Sequence, residues 1–319
     1  MKATIGKDIA RAALLLSDGE LVAIPTETVY GLAANAFDPD AVLRIFQVKQ
    51  RPAFDPLIVH VHGRSQVEQV VSEVPVEAQA LMDRFWPGPL TLVLPKSPRV
   101  PDIVTSGLDT VGVRMPAHPM ALELLRSLDF PLAAPSANPF GYVSPTTAQH
   151  VTAQLGKDIP YVLDGGPCAV GVESTIIGWE EGLPVLFRPG GLPLERIEAV
   201  IGTVRPQVEH VLPVAPGMIE SHYAPSKPLV VGDMPALLGE RAGMRIGVIA
   251  FRDRFEATRC ETLSPDGDVD EAARALFAAM RALDASDIEV ILAEVFPEEG
   301  LGRAINDRLG RAAVKRRMT

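Results

Sequence analysis

Four cations stand where an apolar run gives way to a turn: Lys49, Arg51, Arg114 and Arg188. Lys49 and Arg51 flank Gln50 and are followed by Pro52 and Pro56. Arg114 follows Val111-Gly112-Val113 and precedes Met115-Pro116; Arg188 follows Leu186-Phe187 and precedes Pro189. A guanidinium among apolar residues is costly to bury unless an anion meets it. A neighbouring proline stiffens the backbone and fixes where the donors point. Planar, forked donors of this kind suit carboxylate and phosphate oxygens. Small polar groups occupy similar junctions: Thr26, Glu27 and Thr28 after the run Leu21–Ile24, Ser136 and Asn138 after Pro131–Ala134, and Ser174 just before Thr175-Ile176-Ile177. Open α/β sheets hold ligands at such strand ends. Helix-dipole placement of Lys49 and Arg51, an edge position for Arg114 and capping by the threonines are the structural alternatives. Taken together, the four cations could neutralise a triphosphate, which argues for an anionic small-molecule site and leaves the reaction open.

Several familiar devices are missing. The chain has no phosphate-binding Gly-Lys-Ser/Thr loop, no complete dinucleotide fingerprint, no Cys-x-x-Cys, no His-Glu-x-x-His and no Gly-x-Ser-x-Gly elbow. His60 and His62 share one face of an expected strand, but no third ligand lies nearby, so one is expected to line the site and the other to be solvated or packed. The metal ligands stay unknown. Cys168 and Cys260 are far apart and are expected to be free thiols in a reducing cytoplasm. Net charge is −10 in 319 residues, against the basic excess of a nucleic-acid binder, so at most weak direct RNA contact is expected. No apolar run approaches the ~18 residues of a membrane span, and the charged start Met1–Thr4 does not read as a signal peptide, so a cytoplasmic protein without membrane contact is expected.

The positioning elements follow from periodicity and punctuation. Helices are predicted over Asp8–Leu16, from Asp38-Pro39 through Lys49, and over Glu77–Phe85, His118–Leu128 and Pro193–Ile201. Between them lie expected strands at Leu21–Ile24, Leu57–His62, Leu90–Leu94, Val111–Arg114, Pro131–Ala134, Tyr161–Asp164 and Leu186–Arg188. Residues 135–147 form a shaped loop with three prolines, and Ser144 or Thr146 is expected to cap the next helix. Residues 205–228 read as a Pro-rich connector, although His222-Tyr223-Ala224-Pro225 is too specific for a passive spacer. Beyond it, strands at Leu229–Val231, Ile246–Phe251 and Val290–Val295 alternate with helices Val269–Leu283 and Gly302–Val314, which predicts a small parallel α/β domain. Gly300-Leu301-Gly302 reads as a capping turn, and Lys315-Arg316-Arg317 as a solvated basic end.

Pro25-Thr26-Glu27-Thr28-Val29-Tyr30-Gly31-Leu32, Lys49-x-Arg51-Pro52, Pro87-Gly88-Pro89-Leu90-Thr91, Pro135-Ser136-Ala137-Asn138, Ser144-Pro145-Thr146, Asp164-Gly165-Gly166, Glu173-Ser174-Thr175 and Arg188-Pro189-Gly190 together resemble the YrdC-like family over the first 200 or so residues. Pro216-Gly217-Met218, His222-Tyr223-Ala224-Pro225 and Ala304-Ile305-Asn306-Asp307-Arg308-Leu309 resemble its long two-domain form, the threonylcarbamoyl-AMP synthases. The resemblance implies a twisted YrdC-like α/β domain with an open cleft (1–204), a connector folding over the active site (205–228) and a smaller Rossmann-like α/β domain (229–319). It implies that L-threonine, bicarbonate and ATP, with Mg²⁺, give threonylcarbamoyl-AMP, and that a threonylcarbamoyl transferase complex then modifies adenosine 37 of tRNAs reading ANN codons. Carried over by motif, Thr28, His60, Arg114, Ala134 and Ser174 would hold threonine. Lys49, Arg51, Asp55, Thr110, Ser136, Asn138, Ser144, Arg188 and Tyr223 would line the ATP site, with Lys49, Arg51 and Arg188 serving the chemistry. Asp55 departs from the expected Asn, and its charge beside phosphates is unfavourable unless it binds metal or turns away. The alternatives are an RNA-binding module of the same fold and a carbamoyltransferase that adenylates carbamate; the lack of zinc-finger cysteines speaks against the latter.

Overall fold

The computed structural model describes residues 3–206 and 222–314. Most of the connector, including Pro216–Met218, and the basic end Lys315–Arg317 lie outside the described residues. The first domain is built on a mixed sheet of eleven strands. Their order across it is Thr4–Gly6, Tyr161–Leu163, Val22–Ile24, Gly31–Asn35, Leu132–Ala133, Ile58–His60, Thr110–Arg114, Leu90–Pro95, Thr175–Glu180, Leu183–Arg188 and Arg205–Pro206. The strand Gly31–Asn35 was not foreseen. It returns antiparallel to Val22–Ile24, with Ile24 opposite Gly31, so Pro25–Tyr30 becomes a hairpin crest and not a crossover.

The second domain carries a four-stranded sheet in the order Leu229–Val231, Val290–Ala293, Ile246–Ala250, Arg259–Thr262, with every pairing parallel. That is the expected architecture. The strand Arg259–Thr262 and the helix Met234–Glu240 were missed. The strand is a half-exposed edge with charges at alternate positions, and the helix is one short turn longer than a loop, so neither shows a strong period.

Capping follows local chemistry. Asp38 accepts from the backbone N–H groups of Asp40 and Ala41, and Pro39 sits at the first helical position. Asp268 does the same for the long helix Val269–Asp284. The cap of Ala148–Leu155 is Thr147, not Ser144 or Thr146; its hydroxyl accepts from His150 N–H. Thr146 instead meets the His150 ring, and Ser144 is turned inward to Glu173.

One apolar cluster joins the two domains. Val29, Val143 and Val172 of the first pack with Tyr223 and with Ala273, Leu276, Phe277 and Ile305 of the second. Gly171 (φ +84°) passes so close to the second domain that a β-carbon there would lie 2.4 Å from the Cα of Arg274. No helix among the described residues is long and apolar enough to cross a membrane.

Candidate active site

The crest Pro25–Tyr30 is curled by one side chain. Thr26 Oγ1 takes the backbone N–H groups of Thr28 and Val29 and lies 2.7 Å from the Val29 carbonyl. This turn presents Thr28 to Arg114, whose Nη1 donates to Thr28 Oγ1 at 2.9 Å. Arg114 ends the strand Thr110–Arg114 and stands beside His60, which ends the parallel strand Ile58–His60. Its Nη2 lies 2.6 Å from Glu27 Oε1, and its Nε donates to the Gly88 carbonyl. Glu27 also accepts from Ala117 N–H. The predicted buried Arg is therefore present and already meets a carboxylate of its own chain.

His60 is buried. Desolvation, reinforced by the Arg114 charge, pulls its pKa down to about 3, so it is a neutral imidazole at working pH. Such a ring can accept or donate a hydrogen bond but cannot pair as a cation. His62 is only half-buried and donates its backbone N–H to Gln66, which fits the expectation that one of the two histidines lines the site.

The second group surrounds Arg51 and Arg188. Arg51 donates from Nε to the Asp55 carbonyl and from Nη2 to the Pro56 carbonyl, and pairs with Asp55 Oδ2 at 2.8 Å. These bonds fold the segment 51–56 onto its own guanidinium. Arg188 donates from Nε and Nη2 to the Ser174 carbonyl. Lys49 donates to the carbonyl oxygens of Ser136 and Asn138, both at 2.5 Å. The cations thus shape the loops that surround the cleft. Arg51 also pairs with Asp55, and several further partners of these cations are neutral carbonyls, so the region is rich in positive charge. Buried His222 registers this: desolvation, and then Arg51, Lys49, Arg188 and Arg308, hold its pKa well below the usual histidine range.

One cavity gathers these groups. It is lined by Thr26, Thr28, Gly31, Arg51, His60, Arg114, Ala134, Ser136, Glu173, Ser174, Arg188, His222 and Tyr223, with neighbouring apolar atoms. Nine of the fourteen residues singled out from the sequence face it. Lys49, Asp55, Asn138 and Ser144 are buried but lie outside its lining. Thr110 is also outside it; it begins the strand that ends at Arg114 and pairs with Pro95. Asp55 does turn away from open space. It is fully buried, and burial raises its pKa against the pull of Arg51, Lys49 and Arg188.

The site residues not assigned from the sequence include Glu27, Glu173 and Arg308. Each belongs to a quoted motif, yet carboxylates beside an anion site look unfavourable, and Arg308 is remote in sequence. Glu173 accepts from Ser144 Oγ at 2.5 Å and from Arg308 Nε at 2.8 Å. Burial alone would raise its pKa, but Arg308 and Arg188 and the Ser144 hydroxyl outweigh burial and keep it ionised.

Tyr223 and His222 form part of the cavity wall. Tyr223 takes a left-handed backbone (φ +61°), its ring stacks on Phe277 with centroids 5.8 Å apart, and His222 meets it edge-on at 4.3 Å. About 50 Å³ of free volume is left, room for a few waters.

A family model described as "Telomere recombination" matches residues 14–190, and one described as "Threonylcarbamoyl-AMP synthase, C-terminal domain" matches residues 192–314. The chain is 49% identical to a threonylcarbamoyl-AMP synthase of Pyrococcus abyssi over 319 residues, covering 95% of this chain and 93% of the relative. It is 43% identical to a threonylcarbamoyl-AMP synthase of Bacillus subtilis, covering 96% and 92%. The crystal structure of P. abyssi Sua5 complexed with L-threonine superimposes with a TM-score of 0.93 at 45% identity, covering 98% of each chain.

Proposed function

This chain belongs to the threonylcarbamoyl-AMP synthase family, and from that premise we propose how its own residues perform the synthesis. The reaction joins L-threonine, bicarbonate and ATP into threonylcarbamoyl-AMP, with pyrophosphate and water released. The threonine nitrogen takes up the carbon of bicarbonate with loss of water. The resulting carboxylate attacks the α-phosphorus, and the bond to the pyrophosphate oxygen breaks. No enzyme nucleophile is required; positioning and charge stabilisation suffice.

The observation that carries the site reading is a single cavity lined by two sets of groups. Thr28, His60, Arg114 and Ser174, with the backbone at Ala134, form the threonine set. Arg114 supplies the planar donor for the amino-acid carboxylate, and neutral His60 accepts or donates without adding charge. Arg51, Arg188, Ser136 and Tyr223 form the nucleotide set in the same lining. Lys49 and Asn138 support it from beneath by fixing the Ser136–Asn138 loop, and Ser144 does so through Glu173. Positive charge gathered on Arg51 and Arg188 stabilises the leaving pyrophosphate.

Magnesium brought with ATP would supply charge neutralisation to the phosphates. Among the described residues no group of three His, Cys, Asp or Glu could hold a metal, and Asp55 is engaged with Arg51, so no side chain is assigned to it. His222 and Tyr223 act as the lid foreseen for the connector. The remaining volume is too small for a nucleotide, so the pair withdraws for ATP to enter and returns over it. The product passes to a tRNA-modifying transferase complex for adenosine 37. The net charge of −10 favours releasing the intermediate over gripping tRNA.

The test is pyrophosphate release from the purified chain with ATP, Mg²⁺ and bicarbonate, with and without L-threonine. Release that needs both threonine and bicarbonate, with a nucleotide heavier than AMP, is expected. Dependence on carbamoyl phosphate instead would transfer the chain to the carbamoyltransferase reading.

A further inference from the structure

The second domain reaches into the first through one side chain. Arg308 lies on the helix Gly302–Ala313, in the domain that carries no strand of the large sheet, and its side chain is fully buried. Its Nε donates to Glu173 Oε2 at 2.8 Å, and its Nη1 donates to the Pro189 carbonyl at 3.0 Å and to Asp307 Oδ2. Its guanidinium carbon stands 5.0 Å from the centre of the Tyr223 ring. Arg308 Nη2 and the Tyr223 hydroxyl are both buried and have no hydrogen-bond partner among the described residues.

These contacts converge on Arg188. Glu173 immediately precedes Ser174, whose carbonyl receives two donors of Arg188, and Pro189 immediately follows Arg188. Arg308 therefore grips both segments that aim this cation. The same backbone region has no slack: a β-carbon at Gly190 would fall 2.4 Å from the Ser174 carbonyl carbon. Arg308 also neutralises Glu173, a carboxylate in the cavity lining that would otherwise repel a polyanion. Arg114, with Thr28 and Glu27, is held apart from these contacts, whereas Ser174, whose hydroxyl bonds to Thr91, also takes donors of Arg188 and links the two halves.

We infer that Arg308 is a positioning residue for the nucleotide half of the site: it aims Arg188, silences Glu173 and seats Tyr223, and it is how the C-terminal domain enters catalysis. This deepens the synthase reading, on which the assignment of Arg188 and Tyr223 to ATP rests.

The test compares full-length wild type with Arg308→Met and Arg308→Lys, reading pyrophosphate release and, separately, equilibrium binding of ATP and of threonine by calorimetry. Loss of charge-assisted hydrogen bonds is expected to raise the KM and Kd for ATP by about 10-fold or more in Arg308→Met, with the threonine Kd within about 2-fold. Arg308→Lys should recover part of the loss, and adding Glu173→Gln to Arg308→Met should recover part by removing the unpaired carboxylate. A folded Arg308→Met with unchanged ATP binding, or with equal losses for both ligands, would overturn the inference. If that variant does not fold, Arg308→Lys decides: weaker ATP with normal threonine supports it, and normal ATP overturns it. A wild type that binds ATP yet releases no pyrophosphate with threonine and bicarbonate would sink the synthase reading and leave the ATP-binding comparison intact.

Discussion

The ammonium of Lys49 lies 2.5 Å from the carbonyl oxygen of Ser136, inside the protein and away from the cavity. The Asn138 carbonyl is held at the same distance. Burial first, and then the Arg51 charge, lowers its pKa well below the usual lysine range. Lys49 is thus a latch on the loop that carries Ser136. Lys49→Met leaves two buried carbonyls without their donor, at about 1–3 kcal/mol each. kcat/KM is expected to fall by roughly 100-fold as the loop loosens, a barrier change of about 2.7 kcal/mol. Steady-state kinetics at near-wild-type values would show that the latch is dispensable.

Asp55 and Arg51 form a buried pair at 2.8 Å within reach of the Lys49 and Arg188 charges. Removing one partner of such a pair costs about 3–5 kcal/mol because a buried charge is left behind. Asp55→Asn should therefore lower the melting temperature of the free chain and enlarge the stabilisation given by saturating ATP, whose phosphates replace the lost carboxylate. Thermal melts with and without ATP check this; an ATP-induced shift equal to that of wild type would refute it.

Arg114 is held by Glu27, Thr28 and the Gly88 carbonyl. Arg114→Ala should raise the threonine KM by about 100-fold, the value of a charge-assisted bidentate contact of about 3 kcal/mol. The ATP Kd should change by less than about 3-fold, a difference below 1 kcal/mol. A loss confined to ATP would contradict the assignment of this residue.

Tyr223 lines the cavity and stacks on Phe277. Tyr223→Ala should weaken ATP and slow turnover together, because the lid closes over the nucleotide and excludes water. Unchanged ATP affinity and unchanged turnover would end the lid proposal.

Stability should fall on the acid side. His60 is held down to about pKa 3 and His150 to about 4, in both cases by burial first and a neighbouring Arg second. An unfolded histidine titrates near ~6.5, so below that pH the unfolded chain takes up protons that the folded chain refuses. The stability is present above pH ~6.5 and is lost as pH falls toward the folded values, at up to ~1.4 kcal/mol per pH unit for fully buried His60. His222 and Glu173, both with lowered pKa, act in the same sense. Asp55, with a raised pKa, acts in the opposite sense. Urea midpoints at pH 7.5 and pH 5.0 measure this, and equal midpoints would mean that these rings are not buried as neutral bases.

Much of this protein was determined locally. Asp38-Pro39, Asp268 and the helix periods are short-range signals, and the corresponding helices start where those residues dictate. Arg114 and Arg188 among apolar residues announced buried cations, and a buried guanidinium needs a partner within bonding distance. What the residues could not disclose is which partner each cation takes. Arg114 meets Glu27, Arg51 meets Asp55, and Lys49 meets two carbonyls; these choices depend on strand register and on the hairpin Val22–Asn35. The contact between Arg308 and Glu173, 135 residues apart, exists only once two sheets dock through a shared apolar cluster. Sequence fixes side-chain chemistry and short-range periodicity, because those depend on neighbours along the chain. Burial and pairing of charge depend on what arrives from elsewhere, and only the tertiary structure decides that.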